Sequence, residues 1–202
     1  MYRVRDGVQL VLASASPRRQ QMLADLGLLF SLAPSDLDET LRPSETASQA
    51  AQRLARLKAQ AALAQWPDRA ILAADTLVAL PDGRILGKPL DHDQARSMLK
   101  MLSGREHLVV SGYCLCWRGR EQCGAVESRV RFRALMEAEI EAYLASGEPM
   151  DKAGAYAVQG LAAAFVEEVH GSFSNVVGLP LARIVDLLLR LGLIEPLGEG
   201  PR

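Results

Sequence analysis

The sequence predicts an α/β fold built on an elongated mixed β-sheet flanked by helices, and three observations carry that prediction. Short, largely apolar runs at 9–13 and 70–74 read as strands buried on both faces, as parallel strands are. Capped segments of helical period separate them. Residues 107–117 and 121–134 then flank Arg118-Gly119 and read as an antiparallel hairpin. With 202 residues, 49% of them hydrophobic, the chain can bury a full core. It is expected as a single domain over 1–202. Residues 1–75 plus the last helix would make one lobe and the middle of the chain another, with a groove between them.

Each element has a local reason. Residues 9–13 (QLVLA) lead into a helix that Ser16 can cap, that Pro17 suits at its first position, and that Gly27 closes. A short strand at 28–33 precedes the polar loop SDLDETLRP. Ser44 is the expected cap of a long alanine-rich helix ending near Pro67, with Ala47, Ala50, Leu54, Leu57 and Ala61 as its apolar stripe. The run AILAA at 70–74 is followed by a turn at 81–83 and by Asp91, the expected cap of a helix ending near Ser103 and Gly104. In the second hairpin strand Val126, Ser128, Val130, Phe132 and Ala134 share one face; Glu127, Arg129, Arg131 and Arg133 share the other. A helix over 136–146 stops at Gly147 and Pro149. The glycine-rich DKAGAYAVQG leads to an expected strand at 161–169. GLP at 178–180 opens a last amphipathic helix bearing Ile184, Leu187, Leu188 and Leu191, and the tail 196–202 is expected to be loose.

Charge excludes some classes of partner. The chain carries 23 Lys and Arg against 24 Asp and Glu, a net charge of −1, so binding nucleic acid or membrane through bulk charge is not expected. The N-terminus has too short an apolar stretch for a secretory signal, and no run approaches the roughly 20 apolar residues that span a bilayer. A cytoplasmic location is expected. The three cysteines are read as packing residues: Cys114 and Cys123 can face each other across the hairpin, but no histidine lies near Cys114 and Cys116 to complete a zinc site.

Four places can carry chemistry. In LASASPRR, Arg18 and Arg19 fall in a helical first turn that already bears about half a positive charge, an arrangement that costs about 0.3–1 kcal/mol per charge unless an anion is bound. Free first-turn amides and the hydroxyls of Ser14 and Ser16 suit a phosphate; surface pairing with carboxylates is the plainer alternative. Asp75 follows the apolar run, at the expected carboxyl end of its strand, where open α/β sheets gather ligands. It can hold a cation, take a proton from water, or merely cap a turn. Lys58 lies at the edge of its helix's apolar stripe, either snorkelling or aimed into a site. Lys88 precedes a proline, and Lys152 sits in a loop where Gly154 and Gly160 permit close approach of a ligand. Arg129, Arg131 and Arg133 read as a solvated or subunit-facing strand surface. No phosphate loop, dinucleotide fingerprint or HExxH is present, and the three histidines do not assemble a triad. Cations and acids without a nucleophile suit direct attack by water on a metal-bound phosphate ester or anhydride.

Taken together, SASPRR, DLDET, RLARLK, AADT, GKPLD, SRVRF, GEPMDKAGAYAVQG and GSFSNVVGLPL, in this order from about Leu10 to Leu191, resemble the Maf family of nucleoside triphosphate pyrophosphatases. KAGAY-x-x-QG resembles the branch acting on dTTP and UTP. The resemblance implies a deep cleft between lobes, a divalent cation (Mg²⁺ or Mn²⁺) and often a homodimer. It implies that Asp75 is the proton acceptor, that Ser14, Arg18, Arg19, Lys58 and Lys88 line the nucleotide groove, and that Arg18, Thr76 and Gln159 govern substrate choice. It places Glu39 in the groove, where it would help to hold the metal. Two positions depart from the pattern: Ala15 replaces a usual Gly, and Ser128 a common Thr.

The expected reaction is hydrolysis of a nucleoside triphosphate between the α and β phosphates, with Asp75 as base or as metal ligand. Gln159, with one amide donor group and one acceptor, suits a pyrimidine edge. Two other readings remain open on sequence grounds: a non-catalytic triphosphate sensor linked to cell division, which would not need Asp75, and a phosphatase releasing inorganic phosphate.

Overall fold

Seven strands form a mixed sheet in the computed structural model, which describes residues 1–34 and 37–198. In chain order the first half contains β1 (Tyr2–Val4), β2 (Leu10–Ala13), α1 (Pro17–Asp25), β3 (Ser31–Leu32), α2 (Ala47–Gln65), β4 (Ala70–Ala79), β5 (Ile85–Leu86) and α3 (His92–Leu102). The second half contains β6 (Glu106–Trp117), β7 (Arg120–Phe132), α4 (Glu137–Ala145), β8 (Val166–His170), α5 (Phe173–Val177), α6 (Leu181–Arg190) and β9 (Ile194–Pro196). The order across the sheet is β3-β2-β4-β6-β7-β8, with β5 paired to β4. The β3, β2 and β4 neighbours are parallel and the remaining pairs antiparallel. The α/β mixed architecture is the one the alternation of elements predicted.

The two faces of β4 meet different partners because side chains alternate along a strand. Leu72, Ala74 and Val78 join the large core with residues of α1, α3, α4 and α6. Ile71 and Ala73 pack instead with Ala55, Ala59 and Ala62 of α2. That helix buries Ala47, Ala50, Ala51, Leu54, Ala55, Ala59 and Ala62. Its buried stripe therefore runs through 51, 55, 59 and 62 rather than through Leu57 and Ala61. Small side chains let it lie close to the sheet. The contact is tightest at Gly112 of β6, where a Cβ would meet the Ala51 carbonyl oxygen at 2.1 Å.

Several boundaries differ from the sequence expectation for identifiable reasons. Thr46, not Ser44, caps α2, because Thr46 and Gln49 form a reciprocal capping box while Ser44 sits at φ 66° in the preceding turn. At the start of α1, Ser16 holds the cap position but its side chain makes no cap bond. The expected strand at 161–169 is a 3₁₀ turn over Leu161–Phe165 followed by β8. Ala162 and Phe165, three apart and both buried, fit the 3₁₀ repeat. The tail forms a strand as far as Pro196: β9 pairs antiparallel with β1, and Leu197 N bonds to Met1 O at 3.0 Å. The rest of the expected loose tail, from 199, lies outside the described residues.

The hairpin stands as expected, its two-residue turn using φ 48° at Arg118 and 73° at Gly119, the handedness that matches strand twist. Arg131 pairs with Glu167 and Glu168, and Arg133 with Glu139, on its solvated face. The cysteines correct the reading of plain packing residues. The hairpin register sets Cys114 directly opposite Cys123, with Cα atoms 4.0 Å apart, and the two form a disulfide; Cys116 is free and buried. Among the described residues, no helix is long and apolar enough to cross a membrane.

Candidate active site

The site exists because one edge of β4 is interrupted. β2 pairs with Ala70–Ala73 on that edge, and β5 pairs only with Val78 and Ala79, while β6 covers the opposite edge from Ile71 to Ala79 without a break. Residues 74–77 are left facing a notch. Asp75 is thus in the middle of its strand, not at its carboxyl end as expected. It lies two residues past the last β2 pairing, so the end of β2 opens the notch. A cavity of about 800 Å³ occupies this position, within the range of small-molecule sites.

Residues from both faces of the sheet meet across the notch. Asp75 shares the α2 face of β4 with Ala73. Its Oδ1 accepts from Lys58 Nζ at 2.5 Å, and the same ammonium lies 2.6 Å from Glu39 Oε1. The Lys58 and Asp75 side chains are largely buried, at 12% and 8% exposure. Burial pushes the Glu39 carboxyl up, but the Lys58 hydrogen bond, reinforced by the charges of Lys58, Lys88 and Arg19, leaves it below the usual range. A lysine at the edge of an apolar stripe therefore points into the site rather than out to water.

Thr76 faces the other way, toward α1. There Arg19 Nε donates to Gly178 O at 2.8 Å, Nη1 to Ser14 Oγ at 3.2 Å, and Nη2 to Thr76 Oγ1 at 3.0 Å. Three of the five guanidinium N–H groups are used, which leaves two. Burial lowers the Arg19 pKa, and Asp75 opposes that shift; a guanidinium remains charged regardless. The two first-turn arginines therefore differ. Arg19 is a buried, fixed fork, whereas Arg18 is half-buried and lines the cavity without a polar partner among the described residues.

Ser14, Arg18, Arg19, Glu39, Lys58, Asp75, Thr76, Lys88 and Gln159 all line this one cavity. Lys88 and Gln159 are exposed at its rim. Lys152 also lines it, its ammonium paired with Asp151 and donating to Glu148 O at 3.2 Å. The glycines near Lys152 do not make room for a ligand as expected. A Cβ at Gly154 would meet Val78 at 3.0 Å, and one at Gly160 the Glu148 carboxylate at 2.2 Å. Sequence reasoning also missed the buried Ser111 and Asn175 behind Thr76. The available clue was a lone polar residue within the apolar strand LVVSGY.

Asp75 and Glu39, both within reach of one cationic point, fit a small hard cation. Mg²⁺ typically takes one or two carboxylates and completes its shell with water and substrate phosphate.

Comparison with known proteins agrees with this architecture. The family model described as Maf-like protein matches residues 9–191, and the chain belongs to the Maf family. It is 47% identical over 193 residues to the dTTP/UTP pyrophosphatase of Syntrophus aciditrophicus, covering 95% of this chain and 94% of that protein. It is 50% identical over 188 residues to the dTTP/UTP pyrophosphatase of Hahella chejuensis, covering 92% and 93%. The protein of the same name from Myxococcus xanthus is 50% identical over 191 residues, covering 95% and 96%.

Proposed function

We infer that this chain is a dTTP/UTP pyrophosphatase, hydrolysing the α–β phosphoanhydride to the nucleoside monophosphate and pyrophosphate. One observation carries the reading beyond the relatives' names: a carboxylate, two lysines and a guanidinium fork converge on a single notch in the sheet edge. Arg19, with its two remaining N–H groups, Arg18, Lys58 and Lys88 hold the triphosphate, helped by Ser14 and the first-turn amides of α1. Four positive charges balance the three to four negative charges of the ligand. Asp75 accepts a proton from the attacking water while Lys58 fixes its orientation.

Glu39 and Asp75 would hold a divalent cation, Mg²⁺ or Mn²⁺, which when bound supplies charge neutralisation to the phosphates. Gln159 and Arg18 also contact the nucleoside, with Gln159 reading the pyrimidine edge. We assign the protein to the cytoplasm and expect a homodimer. We read the chain as one domain whose two lobes flank the cleft that holds the notch.

Incubation with dTTP or UTP and Mg²⁺, followed by assay of pyrophosphate, tests the reaction. Release of pyrophosphate and nucleoside monophosphate in equal amounts is expected. Release of inorganic phosphate alone, or no turnover, overturns the reading.

A further inference from the structure

Behind the Arg19 fork lies a closed ring of buried polar contacts. Ser111 on β6 pairs across the ladder with Thr76 on β4, so their side chains share a face and their hydroxyl oxygens lie 2.8 Å apart. Ser111 Oγ donates to the Asn175 carbonyl at 3.0 Å, and Ser111 N donates to Asn175 Oδ1 at 3.2 Å. Asn175 Nδ2 spends its two protons on Val109 O and Ser128 Oγ, each at 3.0 Å. Asn175 belongs to α5, which ends at Gly178, whose carbonyl receives Arg19 Nε. From Arg19 the path runs through Thr76, Ser111, Asn175 and Gly178 back to Arg19.

Counting protons gives the ring a direction. The Ser111 hydroxyl has one proton, and the Asn175 carbonyl takes it. The single Thr76 proton then has two acceptors in reach, Ser111 Oγ at 2.8 Å and the Gly178 carbonyl at 3.3 Å, both inside the ring. Thr76 in turn accepts from Arg19 Nη2. Every proton points away from the guanidinium, and the Thr76 hydroxyl keeps none for a nucleobase. Ser111 and Asn175 are both fully buried, and neither lines the cavity.

We propose that Ser111 and Asn175 are positioning residues that act through Thr76 to aim the Arg19 guanidinium at the triphosphate. Thr76 thereby governs turnover by holding Arg19, rather than by donating a hydrogen bond to the base. This rests on the reading of Arg19 as a phosphate ligand given above. Buried networks of this kind are worth more together than as separate pairs, so their members lose function as a unit.

The test uses steady-state kinetics on dTTP, UTP and CTP with Thr76→Ala, Ser111→Ala, the double variant and Thr76→Ser. Ser111→Ala removes only one hydroxyl, and a urea midpoint checks that it folds. Each alanine variant should lower kcat/KM on all three substrates in the same proportion, by about tenfold and up to the roughly 10²-fold that a 1 Å misplacement can cost. The double variant should be no worse than the worse single one. Thr76→Ser, which keeps the hydroxyl, should retain activity. A changed dTTP-to-CTP ratio in Thr76→Ala with an unchanged ratio in Ser111→Ala would mean that Thr76 reads the base and would overturn the proposal. So would wild-type kinetics in Ser111→Ala beside an active parent. A parent that releases no pyrophosphate overturns the functional reading and this proposal with it.

Discussion

Lys58 holds Asp75 at 2.5 Å from the far side of a helix–sheet interface, 17 positions away in sequence. The contact depends on α2 lying close to β4 and β6, and it makes the ammonium the internal counter-charge of both Asp75 and Glu39. Replacing Lys58 by methionine keeps the stem but leaves the carboxylates uncompensated. The melting temperature should fall, and kcat/KM should drop by about 10²–10³. The Lys58→Met/Asp75→Asn double variant should recover part of the stability and none of the activity. Calorimetry and pyrophosphate release together check this.

Asp75→Asn separates binding from turnover. The amide keeps the shape of the side chain but cannot take up a proton as a carboxylate does. Under the proposed mechanism kcat should fall by at least about 10², the lower end of the range for lost general-base catalysis. Titration calorimetry with a non-hydrolysable dTTP analogue should still detect binding. Unchanged kcat would remove Asp75 from the mechanism.

Gly112 is the spacer that admits α2. A methyl group there would run into the Ala51 carbonyl, and Gly112 pairs directly with Asp75 across the ladder. Gly112→Ala should destabilise the protein by about 1–3 kcal/mol or more, as overpacking does. It should also lower activity by displacing Lys58. Urea denaturation reads the first effect, and kcat/KM at a temperature where the variant is folded reads the second.

His107 makes acid stability predictable. Burial pushes its pKa down to about 4 from an ordinary 6.5; Nε2 meets the Tyr156 hydroxyl at 2.8 Å, and Nδ1 has no partner among the described residues. The folded state holds the ring neutral while the unfolded chain protonates it below about pH 6.5. Protons are then bound preferentially by the unfolded state, so stability falls as pH drops from about 6.5 to about 4 and levels off below. The shift corresponds to about 3 kcal/mol from this residue. In His107→Phe the slope of unfolding free energy against pH over that window should shrink. An unchanged slope would show that other groups dominate acid unfolding.

How much of this was legible beforehand follows the range of each interaction. Helix α3 and its Asp91 cap, α4, and the β6–β7 hairpin with its Arg118-Gly119 turn are set by neighbours within a few residues, and the sequence specified them. Where competing local cues existed, the nearer reading failed: Thr46 displaced Ser44 as a cap because only Thr46 has Gln49 three residues on. β9 was invisible because its partner, β1, lies at the other end of the chain.

The same division holds at the site. Residue types and their placement marked Ser14, Arg18, Arg19, Lys58, Asp75 and Lys88, because chemistry of phosphate binding is written in side-chain identity; Glu39, Thr76 and Gln159 came only from the resemblance to the Maf family. What the chain alone could not reveal was the notch at residues 74–77, which arises only when β2 stops and β5 starts on one edge of β4. Nor could it show that Arg19 is a buried fork and Arg18 a cavity-lining one, or that Ser111 and Asn175 stand behind Thr76. Those relationships join segments up to 159 residues apart, and only packing of the whole sheet decides which side chains share a face.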